Sequence, residues 1–272
     1  MKILVTVKRI PDPDEKPKFA NGALDVSSTK WVPNAFDEYA VETALRLAEV
    51  PKSKEKLAEV VILSICPKDQ RQHVSQFLAM GGARAVVVDA DDSTLDTGDI
   101  AKLIAEVAKR EGADMVVTGK LSQDNEGNQI GQRVAALLNW PQAAFAAEVE
   151  WNKDAGHMVI SREVDDGVEV KKVPLPALVT VDLRSVLPKS VRNGVTPADY
   201  AYNEGARLAS LKGITLAKRK KVAYFKPEEL GVQTASAENT VAVEPPPARA
   251  AGQMVGSVAE LVDKLANEAK VL

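Results

Sequence analysis

Apolar residues along this chain follow two rhythms, short continuous runs and stretches where they recur every three or four positions, and the two alternate as far as residue 140. Residues 3–7 form a run rich in β-branched side chains, closed by Pro11-Asp12-Pro13-Asp14, which cannot continue a ladder; a buried first strand is predicted. After Pro33-Asn34, the set Phe36, Ala40, Val41, Ala44, Leu45 and Ala48 has helical spacing, with Asp37 and Glu38 in the first turn, where carboxylates complement the helix dipole. Strands are predicted at 60–65, 85–88 and 115–118. Helices are predicted at 70–80, ending at Gly81-Gly82, at 99–110, ending near Gly112, and at 128–138, stopped before Pro141. Strand and helix in alternation predict an α/β fold, a largely parallel sheet with helices on both faces.

Beyond Pro141 the pattern becomes strand-like at 143–151, 157–164, 168–173 and 177–183, with Asp165-Asp166-Gly167 as a hairpin turn. Residues 184–206 mix Pro, Gly, Asn and Tyr without periodicity and read as an excursion or long loop. Lys218-Arg219-Lys220-Lys221 is a basic run, either a solvated segment or a docking patch for an acidic partner. Glu244-Pro245-Pro246-Pro247 is a stiff spacer, and Ser257 with Glu260 has capping-box spacing ahead of Val258, Leu261, Val262, Leu265 and Ala269. A terminal amphipathic helix placed after such a spacer is expected to bury its stripe on another chain.

Bulk properties narrow the function without naming it. At 272 residues there is room for one large domain, or one domain and an appendage, and 45% hydrophobic with 27% charged residues excludes collagen-like, disordered and membrane classes. A net charge of −3 supplies no positive field, so no nucleic acid is expected as partner. Cys66 is the only cysteine, which fits a reducing compartment. No apolar stretch approaches the roughly 20 residues that span a bilayer, and the N-terminal run is too short for a signal sequence. A cytoplasmic location and no direct membrane insertion are expected.

Candidate chemistry concentrates between the strand at 115–118 and the following helix, the end of the sheet where ligands bind in open α/β folds. There Gly119 would allow a tight turn, and Gly127 a positive φ or a close approach. The free N–H groups of Asn128, Gln129 and Ile130 would form an anion nest strengthened by the helix dipole, for which a phosphate is the natural guest. The same residues also fit an ordinary loop ending in an asparagine cap, and neither Gly-x-Gly-x-x-Gly nor a Walker loop occurs in the chain. Asn34 fits a helix N-cap before it fits a ligand, although it lies on the same sheet edge. No catalytic residue and no metal site is expected. His73 and His157 fall in unrelated elements, Cys66 has no spaced partner, and the carboxylates track helix starts and turns. A nucleotide site without reactive side chains points to binding or carriage.

Taken together, Val5-Thr-Val-Lys-Arg9, Pro33-Asn-Ala-Phe-Asp-Glu38, Gly119-Lys120 with Asp124 and Asn128-Gln-Ile-Gly-Gln132, Leu138-Asn-Trp-Pro-Gln142, Arg162-Glu163 with Asp166-Gly167, and Leu175-Pro-Ala-Leu-Val-Thr-Val-Asp-Leu-Arg184 resemble the beta subunit of electron transfer flavoproteins. The likeness continues through Leu211, the basic run and 244–252, and breaks only across 185–202, where this chain carries an extra segment. The resemblance implies an adenine nucleotide alpha hydrolase-like domain over 1–221, with a recognition loop at 203–217. It further implies an arm over 222–272 that docks on an alpha subunit, forming a heterodimer. One structural AMP is implied, held by Thr6, Asn34, Ala35, Phe36, Asp37, Ile65 and, around the phosphate, Gly119, Lys120, Gln123, Asp124, Gly127, Asn128, Gln129 and Ile130. The redox FAD is implied on a mobile domain of the alpha subunit.

The resemblance also implies that Leu211 enters an apolar pocket on flavin-dependent dehydrogenases such as acyl-CoA dehydrogenases, the alternative being a core leucine. Lys218, Arg219, Lys220 and Lys221 would orient their acidic face, and an electron transfer flavoprotein-quinone oxidoreductase is a further implied partner. Three departures stand out. Ile130 replaces a hydroxyl-bearing residue, the acidic run is reduced to Asp124-Asn125-Glu126, and 185–202 adjoins the recognition loop. Two other readings stay open: a flavin-bifurcating relative with a second FAD and NADH use, against which the Asn128-Gln129 pair counts, and an unrelated nucleotide-binding enzyme on the same architecture.

Overall fold

Runs of β-branched residues that are apolar on both sides bury themselves only between two layers of helix. In the computed structural model, which describes residues 1–238, 240–248 and 251–272, they pair into a 10-stranded sheet. Its strands are β1 Lys2–Thr6, β2 Glu59–Ile65, β3 Arg84–Val88, β4 Met115–Gly119, β5 Gln142–Asn152, β6 His157–Val164, β7 Gly167–Pro174, β8 Ala177–Val181, β9 Val191–Arg192 and β10 Val222–Phe225. Across the sheet the order is β7-β6-β5-β8-β4-β1-β2-β3-β10, with β9 beside β5. All pairings from β5 through β10 are parallel, as is β9 on β5, and only β5-β6-β7 is antiparallel. The α/β class and the largely parallel sheet are as predicted.

The helices are α1 Ala35–Ala48, α2 Gln72–Met80, α3 Thr97–Glu111, α4 Ile130–Leu138, α5 Leu211–Ala217 and α6 Val258–Asp263. Alternate strand residues feed opposite faces. Ile3, Val5, Ile62, Val117 and Val179 join α1 and α2 in one core, while Leu4, Val61, Leu63, Val116 and Leu178 join α3 and α4 in the other. From β1 the chain winds outward through α1 and α2 to β3, and then α3 returns it to β4 on the far side of β1. The strand order therefore reverses between β1 and β4. That reversal opens a crevice at the C-terminal strand ends.

Several boundaries differ from the sequence pattern. Helix α4 begins at Ile130 and not at 128, because Asn128 has a left-handed φ of 45°. The helix predicted from 70 starts at Gln72, after a 3-10 turn at Lys68–Gln70, and the strand predicted to 183 stops at Val181 because Asp182 caps a 3-10 turn at Leu183–Val186. Strand β10, which no sequence pattern announced, lies beyond residue 221 yet extends the main sheet alongside β3. The 184–206 excursion is tied to α1: the Asn193 amide donates to the carbonyls of Arg46, Leu47 and Glu49, closing that helix's C-terminal end.

Two compact units are present, Met1–Pro17 with Val26–Thr240, and Lys18–Asp25 with Val241–Leu272. In the smaller one, Phe19–Ala20 pairs with Ala23–Leu24, and Val243 donates to the Gly22 carbonyl at 2.9 Å. Ser257 accepts from the Glu260 N–H at 3.2 Å, while the Glu260 carboxylate reaches the N–H of Gly256 at 2.8 Å, one residue earlier than a standard capping box. Val258, Leu261 and Val262 on α6 are exposed. Part of the 244–252 likeness, at Arg249 and Ala250, lies outside the described residues, as does Asn239. Among the described residues no helix is long and apolar enough to cross a membrane.

Gly131 sets how closely α4 sits on β8. A β-carbon there would lie 2.5 Å from the Thr180 methyl and 3.2 Å from Leu178. Gly131→Ala is expected to destabilise the chain by about 1–3 kcal/mol through overpacking, read from its urea midpoint. An unchanged midpoint would show that this contact is not tight.

Candidate functional site

The crevice between β1 and β4 is framed by the start of α1 on one side and by the 119–129 loop and the start of α4 on the other. Asn34 occupies the N-cap position of α1 but makes no side-chain cap bond. Its amide donates instead to the Leu121 carbonyl at 3.0 Å and accepts from the Gln123 N–H at 3.2 Å. Gln123 reciprocates by accepting from the Ala35 N–H at 3.2 Å. The two side chains thus exchange caps, and helix and loop are clamped together.

Gly119 is required for a different reason from the one its sequence position suggested. It does not serve a left-handed turn; a β-carbon there would lie 2.7 Å from that of Phe36 and 2.8 Å from the Asp37 carboxylate. Gly127 likewise has no positive φ, and a β-carbon on it would meet nothing closer than 3.5 Å. The left-handed residues are its neighbours, Glu126 at 50° and Asn128 at 45°. Asn128 is followed by Gln129 at φ −117°, ψ −27°. Alternation of left- and right-handed backbone turns successive N–H groups to one side. Among the described residues no group accepts from the main-chain N–H of Asn128, Gln129, Ile130, Gly131 or Gln132.

Asp37 is 6% exposed and accepts from the Lys8 N–H at 2.8 Å. Burial pushes its carboxyl up to about 7, although bonds from the Lys8 N–H, the Asn34 side chain and the Gly119 N–H favour the charged form. The nearby cations are paired: Lys8 with Asp124 at 2.7 Å, and Lys120 with Asp182 at 2.6 Å, the latter 5.3 Å over the Phe36 ring. Thr6 and Ile65 end the adjacent strands β1 and β2, and the Thr6 hydroxyl has no partner among the described residues. Sequence reasoning passed over Lys8 and Asp182, whose pairings become visible only once the strands are side by side.

His73 meets the Ser64 hydroxyl at 2.8 Å, but both are buried, and burial, with Arg9 nearby, lowers the imidazole to about 4. Among the described residues no group of three or more His, Cys, Asp and Glu is placed to hold a metal ion.

The residues expected to meet a partner lie elsewhere. Leu211 opens α5 and is 86% exposed, so it is not a core leucine. Lys218, Arg219 and Lys221 are exposed. Lys220 is not part of that outward patch: its ammonium caps the end of α2, donating to the carbonyls of Leu78 at 2.8 Å and Gly82 at 2.6 Å.

Comparison with known proteins adds an independent line. The family model described as the electron transfer flavoprotein domain matches residues 22–230. The chain is similar to an electron transfer flavoprotein subunit beta of Bradyrhizobium diazoefficiens, with 37% identity over 274 residues covering 100% of both chains. It is similar to a mitochondrial one of Oryza sativa subsp. indica, with 39% identity over 277 residues and 100% of both chains covered. Against the Homo sapiens subunit beta the identity is 35% over 270 residues, spanning 97% of this chain and 96% of that one.

Asp37 gives the crevice a pH signature. The folded chain holds a proton that the unfolded carboxyl, at its ordinary 3.8, has already released. Its contribution to stability is therefore complete below pH 3.8 and is lost as pH rises through about 7, at up to about 1.4 kcal/mol per pH unit. Between pH 5 and 7 the urea stability of the wild type is expected to fall relative to that of Asp37→Asn. Parallel pH profiles for the two proteins would contradict this.

Proposed function

The chain belongs to the electron transfer flavoprotein beta-subunit family, and on that premise we propose that it is the AMP-holding, non-bifurcating half of a heterodimer that catalyses no reaction alone. Membership carries the coarser statements directly: the function is electron transfer, the complex contains flavin, and the partner is an alpha subunit. The observation that supports AMP is the set of unpartnered N–H groups from Asn128 to Gln132 at the start of α4, which suits a terminal phosphate. With Lys8 and Lys120 already neutralised by Asp124 and Asp182, main-chain donors would do the gripping. This removes the need for the hydroxyl missing at Ile130.

Asn34, Ala35, Phe36 and Asp37 would flank the nucleoside, with Thr6 and Ile65 below it, and Gly119, Lys120, Gln123, Asp124 and Gly127 would shape the phosphate loop. The FAD, mainly on the alpha subunit, supplies the redox chemistry of the complex. The docking segment is narrowed to Val241–Leu272, because Val222–Phe225 belongs to the main sheet; the exposed stripe of α6 would lie on the alpha subunit. Leu211, with Lys218, Arg219 and Lys221 nearby, would dock an apolar pocket with an acidic rim on a flavin-dependent dehydrogenase such as an acyl-CoA dehydrogenase. Electrons would leave through an electron transfer flavoprotein-quinone oxidoreductase.

Co-purification with the alpha subunit, denaturation and mass analysis of the released nucleotides test this reading. One AMP and one FAD per heterodimer are expected, and a colourless beta chain when it is purified alone. Two FAD and no AMP would replace this function by the bifurcating one, and absence of any nucleotide would remove it.

A further inference from the structure

Helix α1 presents Glu42 and Arg46 one turn apart, and Glu49 follows at its C-cap, where the backbone is already extended. Arg46 is 1% exposed and pairs with Glu42, Nε to Oε1, at 2.8 Å. Its remaining N–H groups are used on the excursion that follows β8. Nη1 donates to the Leu187 carbonyl at 2.7 Å, and Nη2 to those of Val186 at 3.1 Å, Asn203 at 2.8 Å and Gly205 at 3.0 Å. The guanidinium also lies 4.8 Å over the Tyr202 ring. A buried arginine thereby gathers both ends of a segment that has almost no regular structure of its own.

Arg207 completes the arrangement from the other side. Its guanidinium donates to Glu42 at 2.7 and 3.0 Å and to Glu49 at 2.9 and 2.7 Å, two forked pairs on one side chain. Immediately after it come Leu208, 93% exposed, and Leu211, 86% exposed. Downstream the chain is fixed a second time, on α2. A side chain on Gly213 would overlap the Ala79 carbonyl, and Lys220 caps α2 at Leu78 and Gly82. The exposed leucine pair is thus suspended between two fixed points, one on α1 and one on α2.

We propose that Arg207 is a positioning residue for docking: by bridging Glu42 and Glu49 it holds the Leu208–Leu211 segment in its binding conformation on the same helix whose N-terminal turn frames the nucleotide crevice. This rests on the reading above in which Leu211 anchors a donor flavoprotein. Without the bridge, 203–210 must be ordered at each encounter, and that ordering opposes binding without touching the electron-transfer step. Arg207's side chain is spent on Glu42 and Glu49, and none of the crevice residues is among its hydrogen-bond partners.

The test uses the purified heterodimer with a reduced acyl-CoA dehydrogenase as electron donor, measuring KM and kcat for that donor together with amide hydrogen exchange over 203–213. For Arg207→Ala the KM is expected to rise on the order of ten-fold, with kcat and AMP content unchanged and exchange faster. Arg207→Lys should recover part of the KM. Glu49→Gln is the milder second variant and should move KM and exchange the same way by less. Because Arg207→Ala removes a positive charge and Glu49→Gln a negative one, a shared direction separates positioning from long-range charge. Faster exchange with unchanged KM would overturn the proposal, as would a raised KM with unchanged exchange. Leu211→Ser serves as the reference: an unchanged KM there would remove the docking reading itself, a result distinct from the failure of Arg207 alone.

Discussion

Close approach of α1 to the end of β4, across Gly119, is the contact on which the crevice depends. With 2.7 Å between an added β-carbon and that of Phe36, any side chain at 119 would push the helix away. The exchanged bonds between Asn34 and Gln123, 89 positions apart, would break with it. Once the approach is made, α1 and α4 both begin at the same opening, and the positive ends of two helix dipoles meet there. Neighbouring lysines are spent on Asp124 and Asp182, so in the proposed function the attraction for a phosphate would come from fixed backbone groups. Such groups need no reorganisation when a ligand arrives.

A consequence is that α1 serves at both ends. Its first turn forms one wall of the crevice, and its later turns carry Glu42 and Arg46, which with Glu49 at the C-cap hold the excursion and the segment leading to Leu211. Removing one member of a buried pair leaves an uncompensated charge, typically a loss of about 3–5 kcal/mol. The excursion is therefore tied to the helix core more firmly than its composition suggests. Buried Asp37 completes the inner end, touching the chain after β1 and the end of β4 at once.

The parallel strands were legible because their β-branched runs are buried on both faces, and the helices because Gly112 and the proline before residue 142 end them visibly. Strand β10 was not: Val222–Phe225 is apolar but only four residues long, too short to show a period, and it follows a basic run that reads as surface. The onset of α4 was misplaced because the left-handed conformation of Asn128 is set by the loop it closes. Order in the excursion comes from Arg46 and Asn193 bonding to distant carbonyls, and carbonyls carry no sequence signature. At the crevice, residue types and the sheet edge could be read locally. The full residue set came from family likeness, and the Asn34–Gln123 exchange required the fold.

The most direct measurement is an experimental structure of the heterodimer in which the nucleotide phosphate is resolved. Phosphate oxygens are expected about 3 Å from the main-chain nitrogens at the start of α4, with Asn34 and Gln123 still bonded across the crevice. A phosphate held elsewhere by lysine or arginine side chains, with those nitrogens bonded to protein, would contradict the central claim.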